Sequence, residues 1–87
     1  VNQLNVAQNY PNPFHEVTQI LTKTIASGTL GIKVITLSGQ VVYEEFRQHV
    51  QAGEHLFELD GQHFTKGIYF YTVFDGSTSV TKKMIVD

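Results

Sequence analysis

The chain contains no cysteine and no tryptophan. Without cysteine no disulfide can staple the fold, so its cohesion rests on packing and hydrogen bonds. Basic residues are few. Lys and Arg together number six, and their longest run is the pair Lys82-Lys83. Nucleic-acid binding through a basic stripe is therefore not expected. Proline occurs only at Pro11 and Pro13. No apolar run approaches the roughly 18–20 residues needed to span a bilayer. Neither an initiator methionine nor a signal-peptide pattern is present. A chain that opens at Val1 in mid-pattern is expected to be a fragment of a longer protein.

What is present points to one globular domain. The 87 residues suffice for one domain and not two, and hydrophobic residues make up 41% against 16% charged. The formal net charge is −2. Strand-forming Val, Ile, Thr, Tyr and Phe recur in short runs punctuated by Gly, Ser, Asn or Asp. Strands are predicted at about residues 3–7, 19–26, 30–37, 41–47, 55–59, 68–74 and 78–86. No helical period holds for more than a turn or two. Strands at this density with no helix between them predict an all-β, antiparallel two-sheet sandwich.

The connections have identifiable causes. Ser38-Gly39 separates two alternating runs and predicts a tight hairpin with Gly39 at positive φ. Asp75-Gly76 does the same before the last strand, and Ala52-Gly53 and Asp60-Gly61 mark further turns. Pro11 and Pro13 cannot donate to a ladder and bias Tyr10 and Asn12 to extended backbone. Residues 8–16 are therefore expected to form a stiff, extended crossing loop.

Two strands are ambiguous. In the second, Ile20 shares a face with Thr22 and Thr24, and Leu21 with Lys23 and Ile25. Neither face is cleanly apolar, and a β-bulge would resolve the conflict. In the sixth, Ile68, Phe70, Thr72 and Phe74 alternate with Tyr69, Tyr71 and Val73. That pattern fits a central strand covered on both faces. It also fits a strand with one aromatic face open to a partner.

Candidate chemistry is sparse. His15, His49, His55 and His63 lack the offsets of a metal clamp. Glu44 and Glu45 are adjacent, so on a strand they point apart and cannot share a proton. Neither a nucleophile elbow nor a phosphate-binding glycine loop is present. An enzyme is not expected, nor a cofactor or metal. Sugar binding on a platform of Tyr and Phe stays open.

Four segments in order carry a resemblance: Tyr10-Pro11-Asn12-Pro13-Phe14 followed by Thr18-Gln19-Ile20, then Leu37-Ser38-Gly39-Gln40-Val41-Val42, then Gly67-Ile68-Tyr69, then the closing Lys83-Met84 run. Together they resemble the type A C-terminal sorting domain of the type IX secretion system of Bacteroidetes, over nearly the whole chain from Gln8. One departure is Ile35-Thr36 where that family often has Tyr-Asp. The resemblance implies an immunoglobulin-like sandwich at the C-terminus of a larger secreted protein, with residues 1–87 as the sorting domain. It implies a non-catalytic secretion signal, read by type IX translocon and sortase components and acting on the cargo domain in the same chain. Transit through the periplasm and delivery to the outer-membrane surface or the medium follow from it. The sorting-motif residues it marks are Tyr10, Pro11, Asn12, Pro13, Phe14, Gly39, Gly67, Tyr69, Lys83 and Met84. Each also has a structural reading: the glycines for backbone geometry, the prolines for the loop, and Tyr69 as a corner tyrosine bonding a backbone group. A structural spacer or interdomain brace and a carbohydrate-binding module are the alternative functions.

Overall fold

The computed structural model describes residues 4–25, 27–76 and 78–87. Seven strands occur in chain order: β1 (Leu4–Val6), β2 (Val17–Thr24), β3 (Gly28–Thr36), β4 (Val41–Val50), β5 (Gly53–Asp60), β6 (Gly67–Phe74) and β7 (Ser79–Val86). All seven expected strands are present. The expected ends Gln3 and Ala26 lie outside the described residues. The helical content among those residues is one 3-10 turn, Gly61–His63, capped by the Asp60 carboxylate on the Gln62 amide.

Two antiparallel sheets face each other, ordered β1-β2-β5 and β4-β3-β6-β7. This is an immunoglobulin-like arrangement in which the fourth strand joins the sheet of the third, sixth and seventh. Tyr69, at the start of β6, donates its hydroxyl to the Thr65 carbonyl at 2.7 Å, the corner geometry expected for such a sandwich. Val34, Phe57, Leu59, Tyr69 and Met84, the core expected from alternation, are all buried.

In β2 the resolution is not a bulge. The strand alternates cleanly, and its register with β5 runs unbroken from Val17↔Asp60 to Thr24↔Gly53. The core face is Thr18, Ile20, Thr22 and Thr24, all buried, and Leu21 is left outside. Threonine is β-branched and small, so it packs on a sheet as valine does, provided its hydroxyl finds a partner. Thr18 finds one in the Pro11 carbonyl, whereas the Thr22 hydroxyl is buried without one among the described residues. Register shifts occur instead between β3 and β4, at Gly28/Leu30 and Val34/Ile35.

Strand β4 runs three residues beyond its expected end at Arg47, and β5 begins at Gly53 rather than His55. The two strands belong to different sheets and are tied by one side chain. Arg47 donates Nη2 to the Leu56 carbonyl, pairs through Nε with Glu45 at 2.9 Å, and lies 4.2 Å over the Phe57 ring. Strand β6 lies between β3 and β7 and buries Tyr69, Tyr71 and Val73. Its outer face is half covered: Ile68 is 40% exposed, while Phe74 closes over Gly31 and meets Phe46 edge-on at 5.6 Å.

The β3–β4 hairpin is as expected. Gly39 has φ +92° and donates its amide to the Thr36 carbonyl. A β-carbon there meets no neighbour, so the cost of substitution is backbone strain. Gly39→Val is expected to destabilise the fold by about 1–3 kcal/mol, read from the urea midpoint. An unchanged midpoint would remove the conformational argument.

Candidate functional site

The polar backbone groups on the outer edge of β7 need partners, because β7 is the edge strand of its sheet. Residues 8–14 supply them. Gln8 Nε2 donates to the Lys83 carbonyl at 2.7 Å, and the Ile85 amide donates to Asn12 Oδ1 at 2.9 Å. The Phe14 amide donates to the Ile85 carbonyl at 3.1 Å, and the Asp87 amide donates to the Phe14 carbonyl at 2.7 Å. Pro11 and Pro13 have no amide to donate, so the donors to the edge carbonyls are the Gln8 side chain and the Phe14 amide, while Asn12 Oδ1 accepts from the Ile85 amide. Both X–Pro bonds are cis.

The segment passes from one sheet to the other. It first continues β1 along β2, through Ala7 to Leu21 and a reciprocal amide–carbonyl pair between Tyr10 and Gln19 at 2.9 Å each way. It then switches to β7, where Phe14 bridges Val86 in parallel. The stiff crossing loop expected over residues 8–16 is thus, in its first part, a strap held to both sheets.

Core residues hold the strap from below. Asn9 is 2% exposed, and its amide donates to the Tyr71 hydroxyl at 2.9 Å. Its Nδ2 donates to Thr18 Oγ1 and to the Pro11 carbonyl. The Tyr71 hydroxyl donates in turn to the Ala7 carbonyl at 3.0 Å. Burial pushes the Tyr71 phenol up to about 12, against the opposing bond from the Asn9 amide. Tyr43 is raised too, by burial first and then by its hydrogen bond to Glu45.

The sign of the linkage is set by the raised value. The neutral Tyr71 phenol contributes fully below its unfolded pKa near 10, and the contribution is lost as pH rises through about 12. A shift of this size corresponds to on the order of 2–3 kcal/mol. Urea midpoints are therefore expected to fall between pH 10 and 12, and Tyr71→Phe should remove most of that fall. A fall of equal depth in the variant would place its origin elsewhere.

The expected motif residues divide between fold and surface. Phe14, Tyr69 and Met84 are buried, whereas Tyr10 is 81% exposed and Pro11, Asn12, Pro13 and Lys83 are exposed. Gly67 opens β6 at φ +153° and pairs with Val86; Tyr69 pairs with Met84, and Phe70 with Lys83. The strap, the end of β7 and the start of β6 therefore lie side by side. Gly39 lies apart, in the turn between β3 and β4.

A family profile described as the secretion system C-terminal sorting domain matches residues 8–87. The chain belongs to this family. The sorting domain is a C-terminal secretion signal for type IX secretion. Its fold is similar to that of the CARDB domain of the PF1109 protein from Pyrococcus furiosus, solved in complex with di-metal ions. That likeness has a TM-score of 0.55 at 10% identity and covers 97% of this chain and 87% of that one. The Ig1 domain of mouse SynCAM 2 aligns with a TM-score of 0.43 at 11% identity, over 86% of this chain and 87% of that one. No curated protein matches the chain significantly.

Gln8, Asn9 and Tyr71 went unmarked in the sequence, although they bind the sorting domain's strap to its body. Asn9 and Gln8 read as ordinary loop polar residues. The hint for Tyr71 was a phenol on the core face of a central strand, since a buried hydroxyl needs a partner.

Proposed function

We propose that the sorting domain is recognised as a folded shape and that the recognised feature includes the strap and the terminal strand it covers. In this reading it is non-catalytic. Type IX translocon components engage it after transit to the periplasm and carry the attached cargo to the cell surface or medium. Sortase components then act on the delivered protein. The observation that supports this is the joining of residues 8–14 to residues 83–87 by four hydrogen bonds. It brings the first and last motif segments, distant in sequence, onto one edge.

The test fuses Val1–Asp87 to a periplasmic reporter in a type IX-competent bacterium. The fusion is expected at the surface or in the medium; retention in the periplasm would overturn the reading. Lys83→Glu is expected to impair export several-fold with its melting curve unchanged. Lys83 is exposed beside Phe70, and surface substitutions of this kind cost under about 0.5 kcal/mol. Normal export of Lys83→Glu would remove Lys83 from the recognised set.

A further inference from the structure

The geometry points to a second contact surface, on the outer face of the three-stranded sheet, with Tyr10 as its anchor and a basic protein surface bearing an aromatic-sized pocket as its partner. This rests on the sorting reading and names where part of the machinery docks.

Tyr10 is the most exposed large hydrophobic residue of the described chain, at 81%. Its backbone is nevertheless fixed on both sides. Its own amide and carbonyl are paired with Gln19. The next carbonyl, of Pro11, accepts from Thr18 at 2.8 Å and from the buried Asn9 side chain at 3.2 Å. The ring makes no hydrogen bond or ring contact among the described residues. A tyrosine held at its backbone and free at its ring is preorganised for binding. It has two side-chain torsions to restrict and carries large amphipathic contact area.

Its surroundings select the partner. Bridge partners share a face of the sheet, so Tyr10 lies with Gln19 and therefore with Glu58 opposite. Leu21 and Leu56 pair directly on the same face, and both are 45% exposed. Its charges are Glu54, Glu58 and Asp60 against Lys23, which stands opposite Glu54. The end of the face nearest Tyr10 thus combines apolar area with uncompensated carboxylate. A second copy presenting the same face would meet like charge, and an anionic lipid or lipopolysaccharide surface would be repelled. A basic protein surface with a pocket for the ring is complementary on both counts.

The experiment uses the reporter fusion in the same host, with variants compared at equal expression and each melting curve recorded. Tyr10→Ala is expected to lower surface delivery about tenfold or more, as truncation of a buried interface aromatic does, with the melting temperature unchanged. Tyr10→Phe should keep most delivery, since the ring carries the contact. Glu58→Lys should also lower delivery. Leu37→Ala, which trims a residue 68% exposed in the β3–β4 turn, should not. Wild-type delivery that persists in Tyr10→Ala overturns this inference and leaves the sorting reading standing. Failure of the unmodified fusion overturns the sorting reading itself. Equal losses in Leu37→Ala, or a fusion dimer that Tyr10→Ala dissociates, would also overturn the assignment of this face to a basic partner.

Discussion

Deleting residues 82–87 is expected to abolish the cooperative unfolding transition, and with it export. The deletion removes most of β7, including Met84 and Val86, both buried. Truncation of a buried methionine alone costs about 2–5 kcal/mol. The pairing of β7 with β6 is lost from Gly67↔Val86 to Tyr71↔Lys82, and the core faces of Tyr69 and Tyr71 open to water. The strap loses all four of its bonds to the strand edge. Against a total stability of roughly 0.05–0.15 kcal/mol per residue for a native domain, these losses leave no stable native state. Circular dichroism during a urea titration measures it. A cooperative transition near the wild-type midpoint would show that β7 is dispensable to the fold.

That result changes what a truncation can say about sorting. A truncated reporter held in the periplasm reports loss of the fold as readily as loss of recognition. Lys83→Glu separates the two. It leaves the Lys83 carbonyl for Gln8 and the neighbouring Met84 in the core, while reversing the charge that the outer face presents.

Much of the fold was legible because its signals are local. Ser38-Gly39 and Asp75-Gly76 place two hairpins by turn chemistry. Strict alternation in β5 puts Phe57 and Leu59 inside and Leu56 and Glu58 outside. Strand β2 was harder, because a hydrophobic period counts threonine as polar. Its four core-facing residues include three threonines, and the hydroxyl of Thr18 is satisfied only by the strap, beyond the strand itself. The strap was legible as a motif and not as a structure. Its bonds join Asn9 to Tyr71, Asn12 to Ile85 and Gln8 to Lys83, across 62, 73 and 75 residues. No local pattern encodes contacts at such separation. For the same reason the sequence treats Tyr10 and Phe14 as equal members of one motif. The tertiary structure buries one and displays the other.

Phe14→Ala is expected to destabilise the domain by about 3–5 kcal/mol and to detach the strap before the rest of the fold. The ring is 2% exposed and belongs to the common core, so its removal leaves a cavity where the strap enters the sandwich. Its backbone also makes the parallel bridge to Val86 and bonds both Ile85 and Asp87. Loss of the ring therefore loosens the terminal strand as well as the loop. The cost is large against the stability of a domain of 87 residues, so Phe14→Leu serves as the companion. It keeps most of the apolar volume and is expected to cost on the order of 1–2 kcal/mol. In Phe14→Leu, amide hydrogen exchange at Phe14, Ile85 and Asp87 is expected to rise about tenfold or more, while Tyr71 and Val73 in the centre of β6 change less. A uniform rise across β6 and β7 would mean that the strap opens only with global unfolding. Unchanged midpoints in both variants would show that Phe14 does not anchor it.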